Sequence, residues 1–300
     1  MSFFGLVFKG MCAHGNLKRY AGYSFPEEIR IYAGISYGKG RWNTLNIYIK
    51  KNVKTVPVII NIHGGGYVYG NRSTDAIYCA AIAKRGFAVV NFSYHLAPRT
   101  KYPVQLEEIN RVFMWVREHV EQYGGNPNQI FVTGDSAGAQ MASQYLTVLT
   151  NPEYARHFPF AVPQISVRGA AFNCGMYGLT SDYVTVFKKI KEENGIDLNA
   201  LLRDYLGKKP YGPELLNVPE YMTADFPPAY IMTGACDFLK IAAEPFAERL
   251  TRLGVKNICK CYGNTDDVRY RHVFHLNDSF DGAVLCNDEE CEFFRSLLNN

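Results

Sequence analysis

No stretch of the 300 residues approaches the run of about 20 apolar positions that a membrane-spanning helix needs. The apolar start, Phe3-Phe4-Gly5-Leu6-Val7-Phe8, is too short for the core of a secretory signal, and no basic start precedes it. A cytoplasmic protein is expected on that ground. Charge is equally sparse, at 20% of residues with a net of +4, and Lys and Arg are scattered rather than clustered. Nothing in that distribution forms an electrostatic footprint for nucleic acid. Internal repeats and low-complexity segments are lacking too. The eight cysteines lack the regular framework of a small disulfide-stapled domain. Cys259 and Cys261, with Cys286 and Cys291 after them, also lack the paired two-residue spacing of common zinc sites, so no metal is expected.

What is present is an alternation of elements. Residues 28–36 and 44–50 alternate apolar and polar, like half-exposed strands at the antiparallel side of a sheet. Val56-Pro57-Val58-Ile59-Ile60-Asn61-Ile62 and 87–92 are continuous apolar runs that suit strands buried on both faces. Between them a helix is predicted at 74–85, ended by Gly86, and Pro103 opens another to about Tyr123. The series continues with strand 129–134, helix 137–150, strands 164–172 and 228–234, helix 241–253, strand 255–262 and a last helix at 282–298. Such a series predicts an α/β fold in one domain, with about eight strands, mostly parallel, and helices on both faces. Residues 173–226 break the alternation with two short helical pieces near 181–193 and 197–206. They are expected to form a cap over the carboxyl ends of the strands, with 1–26 as an N-terminal contribution.

Two glycine-flanked segments carry the chemistry. In Gly134-Asp135-Ser136-Ala137-Gly138 a serine stands where strand 129–134 turns into helix 137–150. A sharp strand-to-helix turn needs small neighbours, and the helix start aims backbone N–H groups at a developing oxyanion. Ser136 is therefore the candidate nucleophile. His63-Gly64-Gly65-Gly66-Tyr67 follows strand 56–62, and its glycines let the backbone approach a substrate carbonyl. Neither the Walker-type lysine nor the spaced glycines of a dinucleotide fingerprint accompanies them, which argues against phosphate. The N–H groups of Gly65, Gly66 and Ala137 are the expected oxyanion donors.

With Tyr94-His95-Leu96-Ala97-Pro98 and Gly124-Gly125-Asn126-Pro127, these segments make the chain resemble the hormone-sensitive-lipase-like branch of the α/β-hydrolase esterases, over roughly residues 28–298. Only 62 residues precede His63, fewer than in many members, so a shortened N-terminal cap is expected. The resemblance implies an acid two residues before a leucine after strand 228–234, which is Asp237, ahead of Asp266 and Asp267 in a polar turn. It also implies a His-x-Phe base, which fits His272 with Phe274, while His275 is the alternative. No cofactor is implied. The expected reaction is hydrolysis of small to medium acyl esters through an acyl-enzyme, with a small-molecule ester as the partner. An acetylated sugar or a peptide as substrate, and a non-catalytic ligand binder, are the alternatives.

Overall fold

A computed structural model describes residues 1–178, 183–207 and 213–298; the parts of the expected cap at 179–182 and 208–212 lie outside them. The chain opens with a helix, α1 (Phe3–Tyr20), followed by β1 (Ile29–Ser36), β2 (Thr44–Lys50), β3 (Val56–Ile62), α2 (Ala76–Lys84) and β4 (Ala88–Phe92). Next come α3 (Val104–His119), β5 (Gly125–Asp135), α4 (Ala137–Thr150), the short α5 (Pro152–Ala155) and β6 (Val167–Asn173). The excursion holds α6 (Tyr183–Asn194), α7 (Leu198–Leu206) and α8 (Val218–Tyr221). The alternation then resumes with β7 (Ala229–Gly234), α9 (Ala243–Arg252), β8 (Asn257–Tyr262) and α10 (Asp281–Ser296).

The eight strands form one sheet in the order β1-β2-β4-β3-β5-β6-β7-β8. β2 runs antiparallel to both β1 and β4, and every other neighbouring pair is parallel. The mostly parallel α/β sheet of eight strands expected from the alternation is therefore present. β3 shows why the central strands read as unbroken apolar runs. Val58, Ile60 and Ile62 pack into the core on one face of the sheet, and Ile59 packs into the core on the other. Removing each such side chain from water stabilises the fold by roughly 1.5–3 kcal/mol.

Four elements differ from the sequence-based expectation. β2 is buried along nearly its whole length rather than half-exposed, because α2 lies across it. β5 begins at Gly125, earlier than predicted, where it pairs with Val56 of β3. The helix opened by Pro103 is α3, with Leu106, Ile109, Val112, Phe113 and Val116 turned to the core, and it tightens into a 3₁₀ turn at Val120–Tyr123. α1 was not expected as a helix. Ser2 caps it through a bond from the Gly5 N–H (2.9 Å), and the Ser2 hydroxyl donates to Asp204 of α7 (2.7 Å), which ties the first helix to the excursion.

Candidate active site

β5 delivers Ser136 on a sharp turn. Its φ of +52° and ψ of −118° lie outside the regions open to most side chains, a conformation that costs about 1–3 kcal/mol. The flanking glycines make the turn possible. A Cβ on Gly134 would lie 2.7 Å from the carbonyl of Gly138, and one on Gly138 would collide with the Ile62 carbonyl oxygen. The Ser136 N–H donates to the Asn173 carbonyl at the end of β6 (2.9 Å), fixing the turn to the neighbouring strand.

The acid and base segments meet this turn from the β7–β8 end of the sheet. Asp237 follows β7, and the 3₁₀ turn and loop after β8 carry His272. A parallel bridge between Cys236 and Arg271 holds the two segments side by side, with the Cys236 N–H donating to the Tyr270 carbonyl (3.1 Å). His272 Nε2 lies 2.9 Å from Ser136 Oγ, and Nδ1 lies 2.8 Å from Asp237 Oδ1. Ser136, Asp237 and His272 are thus brought together in one chain of hydrogen bonds. Asp266 is kept apart in the polar turn, and Asp267 is bound to Arg269 (2.7 Å). His275 makes no hydrogen bond to the serine. It is buried against the edge of Tyr78, and neither ring nitrogen has a hydrogen-bond partner among the described residues.

Asp237 is buried, which by itself would raise its pKa. The nearby His272 ring and hydrogen bonds from His272, Cys174 and the Leu239 N–H (2.8 Å) outweigh that burial, and the carboxyl lies below its ordinary range. Thr233 Oγ1 donates to the second carboxylate oxygen (3.1 Å). Neither Cys174 nor Thr233 stands out in the sequence: Cys174 reaches Asp237 only when β6 and β7 align, and Thr233 turns to it from the end of β7. Cys174, Asp237 and His272 each place one donor atom within 4.8 Å of the others, close enough for a metal ion. Two of those groups, however, are bonded to each other through Nδ1 and Oδ1.

The glycine loop sits across from the serine. Gly65 and Gly66 have φ of +110° and +57°, values that a side chain would strain. Gly64 is held by its N–H donating to Asp135 Oδ1 (2.7 Å), in a fit where a Cβ would strike the same carboxyl. Burial and the adjacent Asp75 carboxyl raise Asp135 well above the ordinary carboxylate range. His63 anchors the loop, its Nδ1 2.8 Å from the Gly64 carbonyl and its ring stacked on Tyr94. The Tyr94 hydroxyl donates to the His63 carbonyl (2.8 Å). Among the described residues, the N–H groups of Gly65, Gly66 and Ala137 make no hydrogen bond to the protein.

The pocket at Ser136 is small, about 30 Å³, and its walls include Phe8 of α1, Gly66, Tyr67 and Leu201 of α7. Met176 and Leu239 separate it from a second cavity of about 590 Å³, lined by apolar side chains such as Tyr177, Ile190 and Phe246.

Comparison with known proteins adds three findings. A family model described as alpha/beta hydrolase fold matches residues 59–275. Among curated proteins, the chain is similar to a probable carboxylic ester hydrolase, LipM, of Mycobacterium tuberculosis, with 28% identity over 218 residues, 68% of this chain and 48% of that protein. It is also similar to the esterase LipQ of the same organism, 32% identical over 152 residues, 49% of this chain and 36% of that one. These matches span about half, or less, of the curated relatives' length. Among solved structures, esterase B from Lactobacillus Rhamnosis superposes with a TM-score of 0.87 at 22% identity, covering 98% of this chain and 93% of that one. At that identity the likeness carries the fold.

Proposed function

The chain belongs to the alpha/beta hydrolase fold family, and from that premise we propose that it is a serine carboxylic-ester hydrolase. The observation that carries this reading is the hydrogen-bonded chain Ser136 Oγ–His272–Asp237 (2.9 and 2.8 Å) facing three backbone N–H groups that lack a protein acceptor. The relatives named as ester hydrolases support it.

In this reading His272 Nε2 takes the Ser136 proton as Oγ attacks the acyl carbon, and Asp237 holds the imidazole tautomer and the charged ring. The N–H groups of Gly65, Gly66 and Ala137 hold the oxyanion, where losing one donor typically lowers turnover about 10²–10³-fold. The protonated His272 then gives its proton to the departing alcohol, leaving the acyl group on Ser136. Water, deprotonated by His272, attacks that acyl group; the acid leaves and Ser136 Oγ recovers its proton. Asp135 is assigned a supporting part, fastening the glycine loop through Gly64.

The substrate proposed is a small to medium acyl ester. The pocket at Ser136 is tight, and the 590 Å³ apolar cavity past Met176 and Leu239 offers room for a chain. Residues 173–226, with α1, are proposed as the cap over this space. We place the protein in the cytoplasm, where eight free thiols would stay reduced.

The test is an ester panel of rising acyl length, run beside fluorophosphonate labelling. Wild type hydrolyses the shorter esters and labels on Ser136, and Ser136→Ala folds but does neither. Undiminished hydrolysis by Ser136→Ala refutes the proposal.

A further inference from the structure

α1 is apolar on two faces. Phe8 and Gly5 are buried, with Phe4 and Cys12 packed against the core beside them, so one face of the helix roofs the Ser136 pocket. The opposite face meets solvent, yet it carries Phe3 (84% exposed), Leu6 (61%) and Leu17 (72%), with Met11 (53%) on its flank. A surface helix ordinarily turns such residues inward, and a contiguous exposed apolar strip of this kind marks an interaction site.

The charge beside the strip identifies what it meets. Along the N-terminal half of α1 runs a groove of about 1040 Å³ whose walls include Lys9, Arg41, Arg72, Arg99 and the half-exposed Trp42, with no carboxylate among them. At the C-terminal end a second cavity, about 450 Å³, is walled by Lys18, Arg19, Arg269 and Arg271, and it reaches His272. Arg269 is paired with Asp267; among the described residues the other lysines and arginines of the two grooves form no ion pair, and His95 of the first groove is bonded to Glu108. α1 itself contains no acidic residue.

We propose that this face docks on an anionic lipid surface, with the apolar strip of α1 entering the boundary between headgroups and acyl chains and the two basic grooves taking up lipid phosphates. Stable attachment of this type needs both an apolar insertion and a basic patch, and both are present. No helix among the described residues is long and apolar enough to cross a membrane, so the contact is superficial. A second copy of the chain fits less well. A two-fold contact through the strip would bring the basic grooves of one copy against those of the other, and like charges repel. The proposal goes beyond hydrolysis and does not depend on it, although docking here would bring a lipid ester to the opening beside His272.

Co-sedimentation with vesicles tests the surface. Wild type is expected to bind vesicles of phosphatidylcholine mixed equally with phosphatidylglycerol, to ignore pure phosphatidylcholine, and to release at high salt. Each basic side chain at an anionic surface is worth about fivefold in partitioning, so the double variant Arg41→Glu/Arg99→Glu loses about 25-fold or more. The double variant Leu6→Gln/Leu17→Gln loses at least about tenfold. Both variants keep the wild-type circular dichroism melt and the same rate on a water-soluble acetate ester. Two results overturn the proposal: vesicle binding that neither pair of substitutions weakens, and no binding by wild type. A dimer in sedimentation velocity that Leu6→Gln/Leu17→Gln splits, without vesicle binding, assigns the face to a second copy and overturns it as well. Vesicle binding by a chain without esterase activity would leave this proposal standing and remove the one before it.

Discussion

Replacing His275 by leucine should leave the protein at least as stable at neutral pH and make it markedly more resistant to mild acid. The ring is 1% exposed and neither nitrogen has a partner among the described residues, so its loss breaks no hydrogen bond and removes buried polar atoms. Burial first, then Arg19 and His272, hold the folded ring neutral until about pH 3, against an ordinary value of 6.5. Between those values the unfolded chain binds a proton that the folded chain refuses. Stability therefore falls as pH falls through that window. At about pH 5 the unfolded ring is almost fully protonated and the folded one is not, a loss of about 2 kcal/mol relative to pH 8. Urea unfolding of wild type and His275→Leu, followed by fluorescence at a series of pH values, measures the difference directly. Wild type should lose about 2 kcal/mol more than the variant between pH 8 and pH 5. Parallel curves, within about 0.5 kcal/mol, would show that the ring takes its proton in the folded state, and the reasoning would fail.

Four further outcomes follow from the same geometry. His275→Leu should hydrolyse esters at close to the wild-type rate, whereas His272→Ala should lose at least about 10³-fold in kcat; the reverse pattern would reassign the base. Asp237→Asn should cost about 10⁴ in kcat with the fold intact. Because the native carboxyl lies below its ordinary value of 3.8, the variant should also lack the part of the stability loss that wild type shows as pH falls below that value, read from acid titration of the two unfolding midpoints. In Gly66→Ala the new Cβ would stand 2.6 Å from the Phe8 ring and 3.0 Å from Leu201, at a φ of +57°. Turnover should drop about 10²–10³-fold, and the melting temperature should fall as well, because the clash and the left-handed backbone both strain the folded state. Phe8→Ala should lower stability by about 3–5 kcal/mol and, by enlarging the pocket at Ser136, raise the relative rate on bulkier acyl esters, a shift that an ester panel would read as a change in kcat/KM ratios.

The parts of the site that could be read from the chain were those whose signal is local. Ser136 announces itself because its turn demands glycine on both sides within five residues, and the glycine loop because no other residue tolerates its backbone. The buried strands announce themselves because burial on both faces erases alternation. Asp237 and His272 needed the resemblance, since a lone aspartate or histidine carries no local mark of its role. The tie between Asp135 and Gly64, and the approach of Cys174 to Asp237, were not legible, because each arises from strands distant in sequence lying side by side; Thr233 stands only four residues before Asp237, but a lone threonine carries no mark of that bond. α1 was missed for another reason. Its inward residues Phe4, Phe8 and Cys12 recur every four positions, a helical signal, but the apolar outward face blurs the contrast on which periodicity depends.

The hydrogen bond between Ser136 and His272 joins residues 136 positions apart, and that separation is also an interval of time. At about 5–20 residues per second a ribosome needs roughly 7–27 s to pass from the serine to the histidine. During that interval β3, β4 and β5 can pair and the strained serine turn can form, but the residue remains an ordinary alcohol. It gains its partner only after β7 and β8 have joined the sheet and the Cys236–Arg271 bridge has closed. On the mechanism proposed above, a nascent or truncated chain would therefore be largely structured and still inert, and reaction with a fluorophosphonate would report the moment at which the last third of the protein has docked.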